Sequence, residues 1–246
     1  MKTAFFRFYE ELNDFLPAEK RKIRFEHNFA GRTSVKDMIE SLGIPHVEVD
    51  LILVNGISVN FSYLINNNDD ISVYPVFETL DITNIQHLRP KPLRNKKFIL
   101  DVHLGTLARY LRMIGFDTLY KNDYNDNEIA EISLNERRTI LTRDKGILKR
   151  SEVTHGYWVR NQVPELQLKE VAERFSLKNQ IREFERCLEC NTGLEKIDKD
   201  KISDRLPLKV RQKQTVFWYC KNCNKIYWQG THSEKMREII NRLLIE

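Results

Sequence analysis

The chain has 246 residues, 41% of them hydrophobic, with four cysteines and a net charge of +5. That is enough for two or three compact domains with real cores. Its longest apolar runs, such as Leu51-Ile52-Leu53-Val54, are strand-sized and exclude a membrane span. The charge is unevenly spread: residues 167–246 carry 17 Lys and Arg against 12 Asp and Glu, residues 78–97 carry 5 against 2, and residues 1–77 carry 8 against 11. A basic surplus toward one end is the electrostatic footprint of a nucleic-acid partner. The first eleven residues are charged and lack the apolar core of a signal peptide, so the expected location is cytoplasmic, where thiols stay reduced.

Residues 1–77 read as a small mixed sheet with one helix. Ala4, Phe6 and Phe8 alternate with outward positions, as do Ile23 and Phe25, which predicts two half-buried strands joined near Pro17. Ser34 is placed to cap a helix carrying Val35, Met38, Ile39 and Leu42 on one face, with Gly43 as its stop. Leu51 to Val54, an Asn55-Gly56 turn, Ile57 to Val59 and Ile71 to Tyr74 complete a β-β-α-β-β order. With "LILVNGISV" and "DDISVYP", this order resembles the ubiquitin-like β-grasp domains, the sulfur carriers among them. Sulfur carriers need a free Gly-Gly end, whereas here Pro75 runs on into Val76 and Phe77. A role in binding a protein partner is therefore expected instead.

Residues 78–97, with Pro90, Pro92 and five basic side chains, read as a linker. From Phe98 to about residue 178, strands and helices alternate. Strand Phe98-Ile99-Leu100 precedes a helix bearing Leu104, Leu107, Ala108, Leu111 and Ile114; strands follow at Phe116–Tyr120, Thr139–Thr142 and Tyr157–Val159, and helices at Asp126–Leu134 and around Leu168 to Phe175. Alternation of this kind implies a parallel sheet with helices on both faces, and the ligand site of such a sheet lies beyond the carboxyl ends of its strands. Asp101 and Asp144 stand at such ends, and Asp126 opens the helix between them, close to Glu128. Three carboxylates gathered there would repel one another without a cation, and all-oxygen ligands favour Mg²⁺ or Mn²⁺. Such an ion suits phosphodiester hydrolysis. Each aspartate also has a plainer reading, Asp126 as a helix cap and Asp144 as a turn residue. Arg109 and Arg112 share a helix face that could meet a phosphate, Arg143 adjoins Asp144, and His103 lies close to the same end.

The four cysteines form two Cys-x-x-Cys pairs, Cys187/Cys190 and Cys220/Cys223, the spacing of a four-thiolate zinc site. Such a closed shell has no open position, so the zinc is expected to be structural. Around the second pair, Trp218, Tyr219, Tyr227 and Trp228 lie among Lys209, Arg211, Lys213, Lys221 and Lys225, a composition suited to stacking on single-stranded bases as well as to a small core.

The runs "FILDVHLGTLARYLRMIGFDTLY", "NDNEI", "TILTRDKGIL", "RCLECN" and "FWYCKNCNKIYWQGTH" together resemble the Mut-seven C-terminal ribonuclease domain, a PIN-like fold with a zinc ribbon, whose members commonly carry a ubiquitin-like domain in front. The resemblance covers residues 98 to about 235. It implies Asp101, Asp126 and Asp144 as catalytic metal ligands, a Mg²⁺- or Mn²⁺-dependent ribonuclease activity and an RNA partner, single-stranded or a structured small RNA; Asp117 matches a motif position at the far end of its strand. The whole chain is thus expected to be α/β: a β-grasp domain over 1–77, a linker over 78–97, a PIN-like parallel-sheet domain over 98–178, and a zinc ribbon with a C-terminal helix over 179–246. Arg109, Arg112, Arg143, Lys221, Lys225 and Trp228 are its expected RNA contacts. The alternative is an RNA-binding adaptor with a silent nuclease fold.

Overall fold

The structure is a computed structural model describing residues 1–75, Leu88 and residues 96–242. The linker expected over residues 78–97 lies outside the described residues except for Leu88, Lys96 and Lys97. The described residues pack into two compact units, one drawn from within 1–94, 133–136 and 144–158 and the other from within 95–132, 137–143 and 159–246.

In the first unit, strands β1 (Lys2–Phe8), β2 (Phe25–Phe29), β3 (Val49–Val54), β4 (Ile57–Ser58) and β5 (Asp70–Pro75) form one sheet in the order β2-β1-β5-β3-β4. β1 and β5 run parallel at its centre and the other pairings are antiparallel, which is the β-grasp arrangement. Helix α1 (Val35–Ser41) starts where the sequence predicts: the Ser34 hydroxyl accepts a hydrogen bond from the Asp37 N–H at 3.1 Å. Ser34→Ala is expected to lower the stability of this unit by about 1 kcal/mol, read as a shift in the urea midpoint at unchanged slope. Phe6, Phe8, Val35, Ile39, Ile52, Ile71 and Val73 fill the core. The β3–β4 hairpin turns on Asn55 and Gly56, both at positive φ (51° and 82°), as an Asn-Gly type I′ turn requires.

One expectation for this region needs correcting. Ile23 is 48% exposed and precedes the second strand, which begins at Phe25 and buries Phe25 and Phe29. Between β1 and β2 the chain forms two short 3₁₀ turns, Glu10–Phe15 and Ala18–Lys20, that bring Leu12, Phe15 and Leu16 into the core. The segment 144–158 packs within the same unit. Trp158 stacks obliquely on Phe15 at 5.0 Å, the Lys145 ammonium lies 4.0 Å from the Trp158 ring, and His46 Nε2 is 2.9 Å from the Val153 carbonyl. Buried Glu48 accepts a hydrogen bond from the Trp158 N–H at 2.6 Å. Strand β9 (Gly156–Trp158) lies in this segment.

The second unit is built on β6 (Phe98–Leu100), β7 (Thr118–Leu119) and β8 (Thr139–Thr142), ordered β7-β6-β8 and all parallel, with Phe98 opposite both Thr118 and Thr139. Helices α2 (Gly105–Met113), α3 (Asp126–Glu136) and α4 (Pro164–Arg174) follow the strands as expected. Phe98, Ile99, Leu100, Leu107, Leu111, Leu168 and Val171 are fully buried. α2 ends at Gly115, whose φ of 96° and close approach to the Arg182 carbonyl leave no room for a Cβ. Beyond α4, β10 (Glu195–Ile197), β11 (Phe217–Tyr219) and β12 (Ile226–Trp228) form an antiparallel sheet in sequence order, accompanied by α5 (Leu208–Lys213) and α6 (Thr231–Ile240). Strand β10 was not legible in the sequence, because Glu195-Lys196-Ile197 carries a single apolar residue. No helix among the described residues is long and apolar enough to cross a membrane.

Candidate active site and metal centre

Asp101 sits where β6 gives way to the turn that starts α2. Its carboxylate is buried, 6% exposed, yet every bond it makes comes from neutral donors: Oδ1 accepts from the His103 N–H at 2.8 Å, and Oδ2 from the Arg143 N–H at 2.8 Å and from the Thr142 hydroxyl. The strand ends of β6 and β8 therefore hold one carboxylate in a fixed direction, since Thr142 and Arg143 close β8 just as Asp101 closes β6. Arg143 serves through its backbone, while its guanidinium donates to the Arg160 and Asn161 carbonyls. His103 is exposed and contributes its N–H to the same turn.

Asp126 is exposed at the first residue of α3. It is not the cap of that helix. Asn125 holds that place: its Oδ1 accepts from the Glu128 N–H at 3.0 Å, and Glu128 Oε2 accepts in return from the Asn125 N–H at 2.9 Å, a reciprocal capping box. Glu128 is thus engaged in starting the helix. Asp144 is exposed, and its Oδ1 accepts from the Gly146 N–H at 2.7 Å, so the turn role foreseen for it is real.

Among the described residues, Cys187, Cys190, Cys220 and Cys223 are the one group of His, Cys, Asp or Glu side chains, three or more, whose ligand atoms gather tightly enough for an ion, all within 4.8 Å of one another. Each pair sits on a turn closed by backbone bonds, Asn191 N–H to the Cys187 carbonyl at 3.0 Å and Asn224 N–H to the Cys220 carbonyl at 2.9 Å. Asn191 and Asn224 take positive φ, 65° and 60°, just past the second cysteine of each pair. Cys187 and Cys220 are fully buried. Burial and hydrogen bonds with Cys187, Cys220 and Cys190 push the Cys223 thiol up to about 12, whereas at Cys190 burial is outweighed by hydrogen bonds from Thr192 and Asn222, which draw its thiol down to about 6. The four cysteines are positioned to bind a metal ion such as zinc.

The model of the Mut7-C RNAse domain matches residues 96–240, and that of the Mut7-C ubiquitin domain matches residues 1–81. The chain belongs to the Mut7-C RNAse domain family. Comparison with the curated proteins and with the solved structures gives no match.

Within the Mut7-C domain, the structure corrects one expected RNA contact. Arg112 is 4% exposed; its Nε donates to the Thr118 carbonyl at 2.9 Å, and Nη1 to the Leu188 and Glu189 carbonyls at 3.0 and 2.9 Å. It pins the first cysteine turn to α2 and β7. Arg109, one turn earlier, is exposed and lies 3.5 Å from Glu189. Lys225 also pairs with Glu189, at 3.1 Å, and Lys221 with Glu195 at 2.7 Å. Trp228 is half-buried and packs against the small core of Ile202, Leu206 and Phe217, while Trp218 stacks on Phe184 at 4.1 Å.

Asp117 has a structural place. It pairs with buried Arg138 at 2.7 Å and with Arg186 at 3.5 Å, and accepts from Asn191 Nδ2 at 2.7 Å, joining the start of β7 to the first cysteine turn. Burial pushes its carboxyl up, but the bonds from Arg138 and Asn191 and the charge of Arg186 outweigh this and hold it below the usual carboxylate range. A depressed value stabilises the fold above the unfolded pKa of about 3.9 and loses that contribution as pH falls through the lower folded value. Asp117→Asn is expected to lower stability by about 3 kcal/mol at pH 7, because it leaves Arg138 buried without its anion. The gap to the wild type should narrow below about pH 4, as urea midpoints measured from pH 3 to 7 would show.

Proposed function

We propose that the protein is a metal-dependent ribonuclease that hydrolyses RNA phosphodiester bonds. The observation that carries this reading is the match of residues 96–240 to an RNAse domain, supported by a buried carboxylate, Asp101, aimed from the strand ends by three neutral donors. Neutral donors fix the carboxylate without cancelling its charge, which suits a ligand of a hard cation. The family resemblance implies Asp101, Asp126 and Asp144 as ligands of Mg²⁺ or Mn²⁺, although the cysteines are the one described group already gathered tightly enough for an ion; the ion would supply the positive charge that activates water and neutralises the scissile phosphate. Asp126 suits this because Asn125, not Asp126, caps its helix. The cysteine-bound zinc builds the ribbon, whose basic surface positions the RNA. The β-grasp unit serves a protein partner, and the protein works in the cytoplasm.

A second reading, an RNA-binding adaptor with a silent nuclease fold, draws on a specific observation: both Asp101 oxygens already accept bonds from the chain. Zinc-loaded protein mixed with labelled RNA separates the two. The ribonuclease cleaves when Mn²⁺ or Mg²⁺ is added and not otherwise. Salt-sensitive binding with no turnover under any divalent ion would instead support the adaptor.

A further inference from the structure

A pocket of about 480 Å³ opens beside the first cysteine turn. Its walls are largely apolar, with Met113 from the end of α2, Phe184 and Leu188 from the first cysteine segment, and Tyr227 and Trp228 from β12. Among the described residues, Arg109, Arg186, Lys225 and Arg237 line it against two carboxylates, Glu183 and Glu189. Two of the cations are already paired, Arg186 with Asp117 outside the pocket and Arg237 with Glu183 on its wall at 2.7 Å. Arg109 and Lys225 share the single carboxylate of Glu189, and the three side chains are 55%, 52% and 42% exposed. Ion pairs so open to water contribute little, so an incoming anion can take the place of Glu189.

We propose that this pocket takes one unstacked base of single-stranded RNA, with the adjoining phosphate held by Arg109 and Lys225. Every base offers a π-face to aromatic walls, and every nucleotide brings the anion that a cationic rim attracts; an acidic peptide would satisfy the rim and leave the walls bare. Arg109 lies four residues into α2, about 6 Å along its axis from Gly105, which follows the Asp101 turn. A strand bound here can thus continue toward Asp101. The proposal rests on the ribonuclease reading for the choice of RNA as the polymer.

The test uses the full zinc-loaded chain without Mg²⁺ or Mn²⁺, with hexauridylate as probe and tryptophan fluorescence as readout. Hexauridylate should quench the fluorescence and bind about tenfold more tightly than an abasic hexamer with the same phosphates. Glu189→Gln should tighten binding about threefold, and Arg109→Ala should weaken it by a similar factor. Trp228→Phe should lose most of the quench and keep the affinity, read from the fluorescence anisotropy of end-labelled hexauridylate. Equal binding of the abasic hexamer, equal competition by hexaglutamate, or indifference to Glu189→Gln would each overturn the proposal. The outcomes are separable from the catalytic reading: cleavage that depends on Asp101 without base-dependent binding sinks the pocket alone, and base-dependent binding without cleavage under any divalent ion sinks the ribonuclease alone.

Discussion

Cys220→Ser is expected to unfold the C-terminal module and release its zinc. Cys220 is fully buried, one of four sulfurs within 4.8 Å of one another. The cores around them are small: Phe217, Ile202 and Leu206 form the buried cluster under β11. A zinc ion bound by these four cysteines would supply most of the stability of so small a module, on the order of 10 kcal/mol of binding free energy that is also folding free energy. Through Arg112, which ties α2 to the Leu188 and Glu189 carbonyls, and through Asp117, which bonds Asn191, the loss should reach the parallel sheet. Zinc content by atomic absorption should fall from one equivalent to none, and thermal unfolding should broaden or split. Retention of full zinc with an unchanged melting curve would show that the cysteines do not hold the module together.

On the proposed ribonuclease reading, Asp101→Asn is expected to leave the protein folded and lower the cleavage rate by roughly a thousandfold or more, because it would remove a negative ligand from a hard cation. The fold should survive. An asparagine keeps the acceptor that caps the turn at His103, and loses mainly the pairing of Oδ2 with Thr142 and the Arg143 N–H. A stability change of about 1–2 kcal/mol is the expected scale for those bonds. A midpoint shift of that size beside a collapse in single-turnover rate separates a chemical role from a structural one; equal cleavage by the variant would remove Asp101 from the chemistry.

Much of this was written in local pattern. Ser34 with Asp37, the Asn55-Gly56 turn and the alternation of Ala4, Phe6 and Phe8 each act within a few residues, and each appears as read. The cysteine spacing likewise dictates its own geometry, down to Asn191 and Asn224 in the left-handed region after each pair. What local pattern could not reveal is which face a later element covers. Arg109 and Arg112 share a helix face by spacing, but the Leu188–Glu189 turn, more than seventy residues on, packs over Arg112 and leaves Arg109 in water. Ile23 failed for a similar reason: alternation with Phe25 fits a strand, yet the chain reaches the sheet only at Phe25. At α3 the signal was present and misassigned, since Asn125 three residues before Glu128 is the capping box itself. The site is legible to the same degree. Asp101 is placed by the strand it ends, whereas the pocket beside Trp228 draws on residues from 109 to 240 and has no sequence signature.

The central claim is that two metals divide the work by ligand chemistry, sulfur holding the structural ion and oxygen the catalytic one. Its most direct test is a Mn²⁺ titration of single-turnover RNA cleavage, with zinc content followed in the same samples, for the wild type and for Asp144→Asn. Cleavage should rise and saturate with Mn²⁺ in the wild type and stay near zero in the variant, while both retain one equivalent of zinc throughout. Cleavage without added Mn²⁺ or Mg²⁺, or equal rates in the two proteins, would contradict the account.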